Sequence, residues 1–120
     1  MKRKLVTVDA ETLLSTPMSK TMFTVDGLIP QGVNVLSGVA KIGKSWLMLW
    51  LGLQVSQGLP VWGIPTMHCD VLYLCLEDTL KRIKDRLFDL TDDSTGNFHL
   101  AVTCGLIGNG LEEEIINFLE

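Results

Sequence analysis

The sequence has few cysteines, and their arrangement suits neither a disulfide framework nor a zinc site. Its three cysteines, Cys69, Cys75 and Cys104, form no Cys-x-x-Cys pair, and their number is odd. Two of them lie in or beside a run that reads as a buried strand, where a reduced thiol behaves as a small apolar side chain. We therefore expect reduced core thiols and a cytoplasmic protein.

Long hydrophobic runs are also missing. The most apolar run, Trp46–Leu53, is eight residues long, whereas a membrane-spanning helix needs about 20. The basic opening, Met1–Lys4, is followed by no long apolar run and does not resemble a signal peptide. We expect no membrane partner.

The sequence has no excess of positive charge. Its formal net charge is −4 over 120 residues, so the composition gives no footprint of a nucleic-acid binder. Hydrophobic residues make up 47% of the chain. That share is enough for one domain with a real core and argues against disorder.

Strand-like and helix-like runs alternate from Gly32 onward. The strand-like runs are Val33–Ser37, Asp70–Leu76 and Phe98–Val102, and the helical patterns that follow them cover Lys44–Gln57, Leu80–Leu90 and Leu111–Glu120. This order predicts an α/β fold with a parallel sheet and flanking helices in residues 31–120. Residues 1–30 read as an entry segment of loops and an edge strand, with Asp9 capping a short helix.

A glycine-rich stretch, "GVAKIGKS", joins the first strand-like run to the first helix. Its glycines allow successive N–H groups to face phosphate oxygens, and the helix N-terminus adds partial positive charge. Lys44 would reach the β- and γ-phosphates, and Ser45 would bind Mg²⁺. The predicted nucleotide-binding residues are Gly38, Val39, Ala40, Lys41, Ile42, Gly43, Lys44, Ser45 and Trp46. The alternative is a glycine-rich turn with an exposed lysine.

Two carboxylates, Glu77 and Asp78, follow the strand-like run Asp70–Leu76. Ligands of open parallel sheets lie outside the carboxyl ends of the strands, so Glu77 is a candidate to polarise a water or to act through Mg²⁺. Asp78 suits either the site or the N-terminal cap of the next helix. The pair does not fit a Walker B aspartate, because it follows the strand directly after the phosphate loop.

The helix after this pair carries four basic residues interspersed with acids. A solvated face is the simpler interpretation, and a phosphate or nucleic-acid contact is the alternative. The basic residues are Lys81, Arg82, Lys84 and Arg86.

The combination resembles the RecA-like P-loop ATPases of the RepA replicative-helicase type, a group of AAA-family ATPases. The resemblance rests on "VDGLIPQGVNVLSGVAKIGKSWL", "DVLYLCLEDTLKRIKDRL" and "FHLAV". It implies a three-layer RecA-like fold and ATP with Mg²⁺ as cofactors. It also implies Lys44 and Glu77 as catalytic residues, with Asp78 and Arg86 supporting the active site. Such ATPases form homo-oligomeric rings, act on single-stranded DNA and serve DNA replication or the maintenance of mobile elements.

The sequence departs from this group in one respect. No later strand ending in the Walker B aspartate is found, so the chain resembles only the N-terminal half of the fold and looks truncated. We therefore expect ATP–Mg²⁺ binding with little hydrolysis by this chain alone. Two alternatives stay open: a fragment of a small-molecule P-loop kinase, and a non-catalytic module that associates with itself.

Overall fold

The computed structural model describes residues 4–40, 42–93 and 95–120. In chain order the elements are α1 (Ala10–Ser15), β1 (Phe23–Val25), β2 (Ile29–Pro30), α2 (Lys44–Gln57), β3 (Val71–Leu74), α3 (Leu80–Leu90), β4 (Phe98–Ala101) and α4 (Leu111–Leu119).

Strands β3 and β4 form a two-stranded parallel sheet. Val71 pairs with Phe98 at one end and Leu74 with Ala101 at the other, and α3 makes the crossover between the strands. Side chains alternate between the two faces of each strand. The expected α/β fold with a parallel sheet is therefore present, with two parallel strands in the part of the chain that the structure describes.

Helix α2 lies against one face of this sheet. Its Leu49 forms a buried cluster with Cys75 and Ile83, and Tyr73 and Phe98 pack against that cluster. Leu72 and Leu74, which alternate with the residues facing α2, line a small cavity together with α4. Helices thus cover both faces of the β3–β4 pair.

The predicted strand Val33–Ser37 is not formed. None of its residues makes a backbone hydrogen bond to another described residue, and Val33 and Val35 are 96% and 88% exposed. The segment has an apolar, β-branched pattern, but a strand also needs a neighbour for its hydrogen-bond ladder. In the described parts of the chain no strand lies beside it.

The entry segment contains the expected capped helix and strand structure. Asp9 accepts a hydrogen bond from the Thr12 amide at 3.0 Å and caps α1, which has no buried residue. Strands β1 and β2 pair as an antiparallel hairpin. Val25 of this hairpin is fully buried against Val55 and Val61, so the hairpin packs beside α2.

Candidate functional site

The glycine-rich stretch and the paired carboxylates line one cavity of about 630 Å³. One wall comes from the start of α2 and consists of Ala40, Gly43, Lys44, Ser45 and Trp46. The opposite wall comes from the segment after β3 and from α3, and consists of Glu77, Asp78, Arg82 and Arg86. Residues far apart in sequence therefore meet at the carboxyl end of β3.

The wall from α2 begins at Gly43, the N-cap residue. Its φ of 102° lies in the left-handed region, which a side chain disfavours, and no side chain caps the helix there. The first amides of α2 therefore have no side-chain cap. An exposed helix start of this kind suits an anionic ligand.

Lys44 turns back toward its own loop. Its Nζ donates hydrogen bonds to the carbonyl oxygens of Gly38 at 2.5 Å and Val39 at 2.9 Å. The ammonium group thus holds the loop in a curve and places a positive charge at the cavity. The lysine of the sequence motif is not a freely extended surface side chain.

Some of the remaining loop residues line the cavity, and others do not. Gly38 and Val39 contribute carbonyl oxygens to Lys44, while the side chains of Val39 and Ile42 are 72% and 65% exposed. Lys41 lies outside the described residues. The cavity is thus lined by the C-terminal part of the predicted loop and by Trp46.

Glu77 and Asp78 have different surroundings. Asp78 is bound by two guanidinium groups, Arg82 Nε at 3.3 Å and Arg86 Nη1 at 3.2 Å. Glu77 is exposed, and within the described residues its carboxylate makes no ion pair or hydrogen bond. The free carboxylate on the cavity wall is therefore Glu77.

The cap interpretation of Asp78 is wrong. Helix α3 is capped by Thr79, whose Oγ1 accepts a hydrogen bond from the Arg82 amide at 3.3 Å. Asp78 lies one residue earlier, and its carboxylate accepts a hydrogen bond from the Thr79 amide, also at 3.3 Å. Thr79 therefore supplies the cap of α3, whereas the Asp78 carboxylate forms ion pairs with Arg82 and Arg86.

The solvated-face interpretation of α3 is correct for its lysines and wrong for Arg86. Lys81 and Lys84 are exposed, whereas the side chain of Arg86 is only 19% exposed and its guanidinium lies 5.1 Å from the centre of the Trp46 ring. Arg82 also lines the cavity and was not among the predicted site residues. The signal was present, because Asp78, Arg82 and Arg86 follow at four-residue steps.

Tyr73 lies at the base of an adjoining smaller cavity of about 290 Å³ that shares Ser45, Glu77 and Asp78 with the first. Burial, followed by the nearby Cys75 and Asp78, raises the pKa of the Tyr73 hydroxyl above its usual value. The phenol therefore stays protonated at neutral pH and can act as a hydrogen-bond donor.

The chemistry of the cavity fits a magnesium–phosphate ligand. The Ser45 hydroxyl and the Glu77 carboxylate are oxygen donors, which Mg²⁺ prefers. Lys44 and Arg86 supply the positive charge that phosphate oxygens require. Strand β4, in contrast, is followed by Val102, Thr103 and Cys104, so no carboxylate stands at its carboxyl end.

The described residues include no helix that is both long and apolar enough to cross a membrane. A protein-family model described as an AAA domain matches residues 2–107. No curated protein and no solved structure gives a significant match. The family match spans most of the 120 residues and includes both walls of the cavity. The chain therefore belongs to the AAA domain family, a family of nucleotide-binding ATPases.

Proposed function

We propose that the chain binds ATP with Mg²⁺ through the loop Gly38–Ser45. The observation that carries this proposal is the single cavity in which Lys44 and Ser45 face Glu77 and Arg86. Cations, a hydroxyl and an unpaired carboxylate around one space are the groups that hold a magnesium–triphosphate. The family match supports nucleotide binding in general.

Each residue has a distinct part in this proposal. Lys44 and Arg86 bind phosphate oxygens, and the start of α2 adds its partial positive charge. Ser45 and Glu77 would hold a magnesium ion, which would neutralise phosphate charge. Alternatively, Glu77, which no described cation neutralises, would accept a proton from an attacking water instead of binding the metal.

Hydrolysis by this chain alone should be slow. Phosphoryl transfer depends on positioning and charge neutralisation, and a second carboxylate near the metal contributes to both. Val102, Thr103 and Cys104, which directly follow β4, supply no such carboxylate. We therefore propose weak to moderate ATP binding with a turnover rate near background.

We further propose a RecA-like ATPase of the RepA helicase type as the wider role of this domain, in DNA replication or mobile-element maintenance. Support comes from the motif "YLCLED", which spans the end of β3 and the residues after it, from the helices on both faces of the β3–β4 pair, and from Arg86 at the cavity. Single-stranded DNA would be the partner of such an assembly, and the cytoplasm its location.

A self-associating module is a second candidate, favoured by the exposed surface. The chain exposes 9885 Å², whereas a compact monomer of this mass exposes about 6,500 Å². The excess of about 3,400 Å² per chain is more than enough surface for one side of an obligate interface between two chains. Residues 4–22 and 31–40 are exposed throughout, and they include the unpaired apolar segment Val33–Ser37.

Calorimetric titration with Mg²⁺–ATP tests the binding proposal. Lys44→Ala removes a cation that contacts phosphate, and a charged hydrogen bond of this kind is worth about 1.5–3 kcal/mol. We expect the affinity to fall at least tenfold. Lys81→Ala is the matched control, since Lys81 is exposed on the same protein and does not line the cavity; its affinity should equal that of the wild type.

Phosphate release measured on the same samples tests the hydrolysis proposal. The wild-type rate should stay close to that of ATP in buffer, and Glu77→Gln should change it little. A rapid release that Lys44→Ala abolishes would show that the chain is a complete enzyme and would contradict this part of the proposal.

A further inference from the structure

We propose that Trp46 is a positioning residue whose indole ring, together with Asp78, fixes the Arg86 guanidinium at the wall of the phosphate cavity. The inference rests on the proposed nucleotide binding and assigns Trp46 a role in it that the phosphate-loop motif does not contain. The motif ends at Ser45, one residue earlier.

The first observation is the placement of Arg86 between two partners. Its Nη1 lies 3.2 Å from Asp78 Oδ2, and the carbon at the centre of its guanidinium lies 5.1 Å from the centre of the Trp46 ring. A guanidinium at this distance from an indole is attracted by the negative face of the ring. The two partners come from α2 and from the segment before α3, so they hold the arginine from different sides.

The second observation is that Asp78 alone cannot orient Arg86. Its other carboxylate oxygen is bound to Arg82 Nε at 3.3 Å, so each arginine has one oxygen. A contact through a single Nη1 leaves the planar group free to rotate, whereas a paired two-oxygen contact would not. The Trp46 ring supplies the missing restraint on the plane of the guanidinium.

The third observation is the position of Trp46 in the chain. It lies in the first turn of α2, directly after Ser45, and lines the same cavity. The contact with Arg86 therefore joins the start of the phosphate-binding helix to α3. One turn later, Trp50 packs against Trp62 with 5.8 Å between the ring centres and does not line the cavity, so the contact with Arg86 belongs to Trp46.

The consequence is that phosphate affinity depends on the ring and on the arginine as one unit. In Mg²⁺–ATP titrations we expect Trp46→Leu to weaken binding about five- to tenfold, as for loss of a partly buried cation–ring contact. Trp46→Phe keeps an aromatic face and should recover most of the affinity. The double variant Trp46→Leu/Arg86→Gln should bind no more weakly than Arg86→Gln alone.

The matched control is Trp62→Leu, which removes an exposed tryptophan that does not line the cavity. Its affinity should match that of the wild type. Full affinity in Trp46→Leu, or losses that simply add in the double variant, would overturn the positioning role. Absence of any Mg²⁺–ATP binding by the folded wild type would instead overturn the proposed function, so the two failures are distinguishable.

A fluorescence measurement tests the contact without nucleotide. In a Trp50→Phe/Trp62→Phe background, Trp46 is the only tryptophan left, and Arg86→Gln should change its emission because the cation leaves the ring. Lys84→Gln, which alters a cation that lies over Phe88 at 5.8 Å, should leave the emission unchanged. An emission that ignores Arg86→Gln would contradict the stacking and, with it, the inference.

Discussion

At the scale of single residues, the cavity depends on a few groups with unusual surroundings. Gly43 has a positive φ at the start of α2, and the next residue, Lys44, is bent back onto the loop carbonyls. On the opposite wall Asp78 is neutralised by two arginines while Glu77 is not. These details decide which carboxylate and which cations are available to a ligand.

The backbone of Gly43 provides the first prediction. Gly43→Ala places a Cβ in the left-handed region and should lower the free energy of unfolding by about 1–2 kcal/mol, measured by urea denaturation. Gly38→Ala is the control, because its φ is not in that region and the added Cβ would meet its nearest neighbour at an ordinary 3.4 Å. Equal stability of the two variants would contradict the left-handed backbone conformation of Gly43.

The sequence predicts the cavity residues that belong to a motif. It does not predict the residues whose place in the cavity depends on how the helices pack. Lys44, Ser45 and Glu77 follow from a spacing and a strand end, and the structure brings them to one cavity. Arg82 and the contact of Trp46 with Arg86 depend on the rotation of α3 relative to α2, which no local pattern encodes. The four-residue steps from Asp78 indicated a shared face but not which neighbour that face meets.

At the scale of elements, α2 depends on close packing against the sheet. Gly52 is buried in the middle of α2, and a Cβ there would lie 2.8 Å from Phe98 Cζ and 3.5 Å from Val71 Cγ1. A glycine in a helix costs about 1 kcal/mol relative to alanine. Here the ring of Phe98 lies so close to the helix backbone that it leaves no room for a Cβ.

Gly52→Ala should therefore destabilise the protein although alanine is the better helix former. Overpacking costs about 1–3 kcal/mol and outweighs the helical gain, which leaves a small net loss in urea unfolding. Gly96→Ala, at a glycine with open space around it, should show no such loss. A more stable Gly52→Ala variant would mean that α2 stands further from Phe98 than described.

The start of α4 provides a prediction about pH. The Gly108 amide donates a hydrogen bond to Glu112 Oε1 at 2.7 Å. Hydrogen bonds from the backbone of Glu112 and of Gly108 lower the pKa of the Glu112 carboxyl from its usual value of 4.5. Because the pKa of Glu112 is lower in the folded state than in the unfolded state, the stabilisation from this contact is fully present above the unfolded-state pKa. It is lost as the pH falls through the folded-state pKa. Local loosening of this loop is therefore expected only in acid.

An NMR titration of the Gly108 amide measures this effect. Its chemical shift should change with a midpoint below pH 4.5, and Glu112→Gln should remove the transition. A midpoint at or above 4.5 would contradict the hydrogen bond.

Some of the helices and strands predicted from the sequence are present and one strand is not, for a physical reason. The bounds Lys44–Gln57 and the parallel pairing of β3 with β4 are confirmed. The helix depends on local pattern, and the parallel pairing follows from the strand–helix–strand order, in which α3 makes the crossover. The segment Val33–Ser37 has an equally good strand pattern, but strand formation requires a pairing partner, and none of the described residues provides one.

At the scale of the whole molecule, the chain is extended. Its radius of gyration is 18.4 Å, compared with about 14 Å for a compact domain of this length. Exposed apolar side chains along an unpaired, extended segment favour association with a second copy. The proposed self-association follows from this surface.

Light scattering tests that expectation. The wild type should show a mass above that of one 13.3 kDa chain, and Val35→Lys should shift it toward the monomer because Val35 is among the most exposed apolar residues. Asn34→Lys adds the same charge to a neighbouring polar position and is the matched control. A wild type that stays monomeric over the concentrations used for calorimetry would contradict self-association.

We propose above all that the cavity between α2 and α3 recognises the phosphates of a nucleotide. Its most direct test is a calorimetric series of adenosine, ADP and ATP, each with Mg²⁺, on the wild type and on Lys44→Ala. We predict no detectable binding of adenosine and an affinity that rises from ADP to ATP. In Lys44→Ala the affinity for ATP should fall at least tenfold. Equal binding of adenosine and ATP, or an unchanged Lys44→Ala variant, would contradict it.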